Sequence, residues 1–177
     1  MEEELRKTSA DKAKARHCAK GLLKDARVQN APVIINTLLP TVRKTFNIIV
    51  AAAPNGTFSG KADAMTQRRN DTVFIVYDNQ KAEVRKRFSV AHELGHIYLG
   101  HLHGSSSLDL NSENFDEIEA NIFAANLLMP KLLLSSDIKS GLSPEALAKR
   151  YGVSIDALWY QLTDAGLINL LHSTSHS

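Results

Sequence analysis

The chain has 177 residues, 44% of them hydrophobic, and a formal net charge of +2. That length suits one domain or one domain with a small appendage, and that hydrophobic content supports a packed core and excludes a disordered chain. The near-neutral balance gives no global argument for a nucleic-acid or membrane-surface partner, and no apolar run reaches membrane-spanning length.

Met1-Glu2-Glu3-Glu4 is acidic and lacks the apolar centre of a signal peptide, so a cytoplasmic protein is expected. The single cysteine, Cys18, excludes an internal disulfide and reads as a small packing residue. Ser9–Gln29 is rich in Ala, Lys and Arg and predicts a helix capped by Ser9. Pro32–Lys44 predicts a second helix, perturbed by Pro40. The β-branched run Phe46–Ala51 predicts a strand, Pro54-Asn55-Gly56 a turn, and residues 60–66 a second short strand. Arg68-Arg69-Asn70-Asp71 reads as a polar turn. Thr72–Tyr77 is continuously apolar and predicts a strand covered on both faces. Lys81–Leu99 predicts a helix ended by Gly100, residues 104–112 a polar loop, and Phe115–Met129 an apolar helix stopped by Pro130. From Ser135 the pattern changes to two short helices.

The helix over Lys81–Leu99 contains His92-Glu93-Leu94-Gly95-His96. Helical spacing puts the two imidazoles one turn apart on one face, where they can share a zinc ion with Glu93 beside it as a general base. The same five-residue pattern arises by chance in about 1% of shuffled chains, so its surroundings must carry the argument. Val90, Leu94 and Ile97 form one apolar row and Val84, Phe88, Ala91, Gly95 and Tyr98 another, which leaves His92 and His96 on a polar seam of a buried helix. The alternative is two hydrogen-bonded histidines with no metal.

A catalytic zinc usually takes three protein donors, and two acids on the following helix compete for the third place. Glu117 neighbours Glu113, Asn114 and Asn121, a polar surface, whereas Glu119 neighbours Phe115, Ile122 and Phe123. A carboxylate on an apolar face needs compensation, so Glu119 is chosen as ligand, with Asp116 as its outer partner. His92, His96 and Glu119 are thus the expected metal ligands and Glu93 the expected catalytic residue.

Ala91-His92-Glu93-Leu94-Gly95-His96, followed by Glu119-Ala120-Asn121-Ile122-Phe123-Ala124-Ala125-Asn126-Leu127-Leu128-Met129-Pro130, resembles the ImmA/IrrE family of bacterial and phage metallopeptidases. Arg87-Phe88-Ser89-Val90 resembles that family's lead-in to its active-site helix, and the resemblance runs from about Phe46 to Leu171. It implies an α+β, compact zincin-type (gluzincin-like) fold with a small twisted sheet, an active-site helix, and a second helix bearing the Glu ligand. The expected division is a metallopeptidase domain over residues 1–134 and a small helical subdomain over 135–177. The resemblance also implies a Zn²⁺ cofactor, with Mn²⁺ as the substitute, and limited cleavage of a helix-turn-helix transcriptional repressor after stress or during mobile-element induction. Tyr98, His101, His103 and Arg87 are the candidates for stabilising the oxyanion, and the sequence does not choose among them.

Ser143-Pro144-Glu145 is a helix start, Gly152 a stop, and Ser154 the cap of another helix, an arrangement similar to a helix-turn-helix. Its second helix, Ile155–Asp164, has no Lys or Arg. Direct DNA binding is therefore not expected, and a helical hairpin packed on the protease is. The competing function is a non-catalytic regulator that binds DNA or a repressor through these helices and keeps a structural or vestigial metal site.

Overall fold

The computed structural model describes residues 9–53, 63–101 and 110–174. It is an α+β fold in which helices surround a small sheet. Helix α1 spans Lys12–Asp25 and α2 spans Ile35–Val42; strands β1 (Ile48–Ala52), β2 (Ala64–Arg69) and β3 (Thr72–Tyr77) follow. Then come α3 (Glu83–Leu99), α4 (Leu110–Leu128), α5 (Lys131–Lys139), α6 (Pro144–Tyr151), α7 (Ile155–Asp164) and α8 (Ile168–Thr174). The expected turn at residues 54–56 and most of the expected loop at 104–112 lie outside the described residues; residues 110–112 belong to α4.

The first helix is capped by Asp11, whose carboxylate accepts the Lys14 N–H, and not by Ser9. Asp and Ser cap equally well, so position in the fold decides: the same Asp11 backbone N–H is used elsewhere, as described below. Helix α2 does contain Pro40, in its last turn.

The sheet has the order β1-β3-β2, with β1 parallel and β2 antiparallel to the central β3. The polar turn is narrower than the sequence suggests. Only Asn70 and Asp71 form it, with Asn70 at φ +54°, while Arg68 and Arg69 pair with Val73 and Thr72. Asparagine tolerates that left-handed conformation, so a two-residue connection suffices and the arginines remain as a charged sheet edge. Strand β3 is not covered on both faces. Val73 and Ile75 are buried, whereas Phe74 and Val76 are half-buried. A three-stranded sheet has too few helices around it to seal its second face.

Helices α3 and α4 carry the centre of the molecule. Ile122, Phe123, Ala124, Ala125, Leu127 and Leu128 are all buried, because α4 packs on α3, α1 and α7. A helix that is apolar on most of its surface needs neighbours on most sides. Helix α3 buries Val90, Ala91, Leu94, Gly95 and Ile97, and Val84 near its start is exposed. The two helices touch closely at Gly95, where an added Cβ would lie 3.1 Å from the Ala120 Cα and 3.2 Å from the Phe123 Cβ. Backbone cannot swing aside as a side chain can. Gly95→Ala is therefore expected to destabilise by about 1–2 kcal/mol despite the better helix propensity of alanine, read as a lower Tm.

The C-terminal helices form as the sequence predicts around Ser143, Pro144, Gly152 and Ser154. The Ser143 and Ser154 hydroxyls accept the Ala146 and Ala157 N–H groups, and Gly152 has φ +61°. Two more helices flank this pair. Helix α5 spans the boundary expected at residue 134, and one core contains Leu134 and Ile138 together with Leu158 and Leu162. Helix α7 is tied to the body by the Asp164–Arg16 ion pair and by the Gln161 amide, which donates to the Met129 carbonyl at 3.0 Å.

Candidate metal centre

Helix α3 presents His92 and His96 on one face, as the four-residue spacing requires. Their Nε2 atoms are 3.0 Å apart. The third group beside them is Glu117 from α4, with one carboxylate oxygen 3.1 Å from His92 Nε2 and the other 3.2 Å from His96 Nε2. Tetrahedral zinc with donors at about 2.0–2.1 Å has donor–donor edges of about 3.3 Å. The three observed separations are nearly equal and just below that value, so the residues fit such an ion.

The chemistry of the donors agrees with their spacing. Two neutral imidazole lone pairs and a carboxylate converge, and they repel one another unless a positive charge sits among them. Burial disfavours the imidazolium of His92, but the hydrogen bond and charge of Glu117 outweigh it and raise the His92 pKa. Glu117 is correspondingly held far below the usual carboxylate range by its hydrogen bonds to His92 and His96. The opposite ring nitrogens are also occupied: His92 Nδ1 lies 2.9 Å from Asn121 Oδ1, and His96 Nδ1 lies 3.1 Å from His101 Nδ1. An Nδ1–H donated to Asn121 leaves the His92 Nε2 lone pair facing His96 and Glu117.

These shifts set a pH dependence. In the metal-free fold the raised His92 pKa contributes stability that is complete below the ordinary imidazole value and is lost as pH rises through the folded value. The lowered Glu117 pKa contributes stability above the ordinary carboxylate value and loses it only on strong acidification. Zinc needs His92 unprotonated. The Tm gain on adding zinc is therefore expected to widen from about pH 5.5 to pH 8, as thermal melts with and without zinc would show.

Glu93 lies on the same helix beside the pair. Its carboxylate accepts a hydrogen bond of 2.5 Å from the Thr66 hydroxyl on β2. Nothing in the sequence pointed to Thr66, because the contact depends on how the sheet docks against α3.

Glu119, the acid expected as third ligand, is not in this triangle. It is buried as predicted, 1% exposed, but its carboxylate is 3.0 Å from His101 Nε2. The burial argument identified a carboxylate that needs a partner, and in this structure that partner is His101. Glu117 has a side chain 57% exposed, so the triangle is open to solvent on its side. The polar stripe Glu117–Asn121, one helical turn apart, read as a solvent face and lies against His92 and His96; helical periodicity could have found it.

The remaining candidates separate clearly. Asp116 lies on the His101 side, 3.5 Å from its Nε2. Tyr98 points into the core, edge-on to Phe46 and stacked on Phe123, where burial pushes its hydroxyl up to about 12. Arg87 turns away and donates to the carbonyls of Val33, Tyr151 and Gly152, fastening the end of α6. His101 is packed against His96. His103 lies outside the described residues.

Residues 43–163 match the peptidase-family profile described as the IrrE N-terminal-like domain, more than half of the 177-residue chain. A solved structure of a Mycobacterium tuberculosis transcriptional regulator is similar with a TM-score of 0.66 and 16% sequence identity, over 85% of this chain and 46% of that one. At that identity the likeness is one of fold, and this chain spans about half the length of that regulator. No curated protein sequence matches the chain. Among the described residues, no helix is long and apolar enough to cross a membrane.

Proposed function

The chain belongs to the IrrE N-terminal-like domain family of peptidases, and from that we propose that it is a zinc-dependent endopeptidase whose substrate is a helix-turn-helix transcriptional repressor. The observation that carries this reading is the nearly equilateral triangle of His92, His96 and Glu117 with Glu93 beside it. His92, His96 and Glu117 would hold the metal. When bound, zinc (or Mn²⁺ in its place) acidifies water and polarises a scissile carbonyl.

The protein's own residues supply the rest. Glu93 takes a proton from the attacking water as its oxygen bonds to the carbonyl carbon, and passes it to the amine nitrogen as the C–N bond breaks. Thr66 keeps the Glu93 carboxylate aimed from the sheet side. Asn121 fixes the His92 ring. Among the described residues strand β2 has β3 on one side only, so its other edge can pair with an extended peptide next to Glu93. The family of the chain and its structural neighbour, a transcriptional regulator, support a repressor as the partner.

The test is incubation of the metal-loaded protein with candidate repressors, with and without a chelator, followed by mass spectrometry of the products. Chelator-sensitive cleavage at a defined bond is expected. Cleavage that survives complete metal removal would rule the reading out. A purely binding regulator would instead alter repression with no cut and with no effect of Glu93→Gln. The Ile155–Asp164 helix, without Lys or Arg and with Asp164 paired to Arg16, does not favour DNA as its partner.

A further inference from the structure

Behind the donor triangle lies a second set of buried polar groups. Gly100 ends α3 at φ +79° and turns the chain back, so that the His101 N–H donates to the His96 carbonyl at 2.9 Å. This folds the His101 ring against His96. His101 Nδ1 meets His96 Nδ1 at 3.1 Å, and His101 Nε2 meets a Glu119 carboxylate oxygen at 3.0 Å. The other Glu119 oxygen accepts the backbone N–H of Asp11, the cap of α1. The side chains of His101 and Glu119 are 5% and 1% exposed.

The hydrogens of this chain follow from its end. A carboxylate offers only acceptors. One Glu119 oxygen is engaged by Asp11, so the other requires a donor on His101 Nε2. Asp116, 3.5 Å from the same Nε2, adds a second acceptor there. A metal on His96 Nε2 leaves the His96 hydrogen on Nδ1, so His101 beside it is neutral, with its hydrogen on Nε2 and its Nδ1 lone pair accepting from His96 Nδ1. His96 Nε2 is then bare and faces His92 and Glu117. We propose that His101 and Glu119 are positioning residues, which fix the tautomer and ring orientation of His96 and tie both to the N-cap of α1. This inference rests on the metal site proposed above, and it gives the first helix, for which the sequence suggests no functional role, a part in the site.

The test uses the full chain, zinc, and three variants. In Glu119→Gln the amide oxygen serves Asp11 and the NH₂ faces His101. The hydrogens along the chain then reverse, and one is placed on His96 Nε2. His101→Leu removes the acceptor for His96. Each variant is expected to weaken zinc binding about 10–100-fold in a chelator competition, with one zinc per chain retained at saturation. His101→Asn puts an amide oxygen where Nδ1 was and is expected to recover affinity to within about threefold of wild type. Ring ¹⁵N shifts of the metal-free protein, read at a pH above the imidazole titrations where each ring carries one hydrogen, should show His96 with hydrogen on Nδ1 in the wild type and in His101→Asn, and not in Glu119→Gln.

If Glu119→Gln does not fold, the contrast of His101→Leu with His101→Asn decides. Affinities within about twofold of wild type for both His101→Leu and Glu119→Gln would overturn the proposal. So would complete loss of zinc from Glu119→Gln at saturating metal, or two zinc ions per wild-type chain, since either would make Glu119 a ligand. A wild type that binds no zinc would remove the metal site itself, and the ring shifts would still decide the tautomer.

Discussion

Glu93→Gln should bind zinc at the wild-type ratio and hydrolyse its substrate about 10²–10⁴-fold more slowly. The substitution keeps the shape of the side chain and keeps an oxygen for the Thr66 hydroxyl, so β2 and α3 stay docked. It leaves His92, His96 and Glu117 untouched. What it removes is the only described group beside the donor triangle, apart from the donors themselves, that the sequence and fold together mark as the acceptor for a proton from water. Elemental analysis and a cleavage time course on the same preparation measure both halves. Loss of zinc together with activity would mean that Glu93 is a ligand. Retention of activity would mean that the proton goes elsewhere, or that the protein works by binding alone.

Glu117→Ala should lose zinc on dialysis, with affinity reduced well beyond the roughly 10–100-fold cost of losing an outer-sphere partner. It deletes one corner of the triangle and its only formal negative charge. A second readout does not need the metal. Glu117 contributes most to holding the His92 pKa up against burial, with Glu93 and Asn121 adding to it. In metal-free Glu117→Ala the desolvation contribution remains and the favourable partner is gone, so an NMR titration should find His92 protonating at lower pH than in the wild type.

The contrast between Glu117 and Glu119 shows where sequence is informative. The fold class, the motif helix, its Gly100 end and the Ser143 and Ser154 caps were legible because each depends on residues within a turn or two of one another. The inward direction of Glu119 was also legible, because it follows from helical period and neighbouring apolar residues. The identity of its partner was not. His101 reaches Glu119 only because the chain reverses at Gly100 and because α1 delivers Asp11 from the far end of the sequence. Glu117 read as a solvent residue for a related reason. Exposure reads as solvent contact in one dimension, while in three dimensions an exposed carboxylate can lie against two histidines of the motif helix. Thr66 and Arg87 illustrate the same limit: one hydroxyl on a short strand serves the site, and one arginine next to the motif serves the end of α6 instead.

The close seat of α3 on α4 connects these observations. Gly95 sits against Ala120, between the histidines on one helix and the acids on the other. Separation of the helices there would widen the spacing between His96 and Glu117. Packing at a residue with no polar atoms on its side chain thereby sets the size of the site.

The most direct measurement is the zinc-to-protein ratio of the wild-type chain after equilibration with zinc and removal of the excess. One zinc per chain, lost in His92→Ala and in Glu117→Ala, is the predicted result. A wild-type chain that takes up no zinc, or one that keeps its full zinc content when His92 and Glu117 are removed, would contradict the site built from His92, His96 and Glu117.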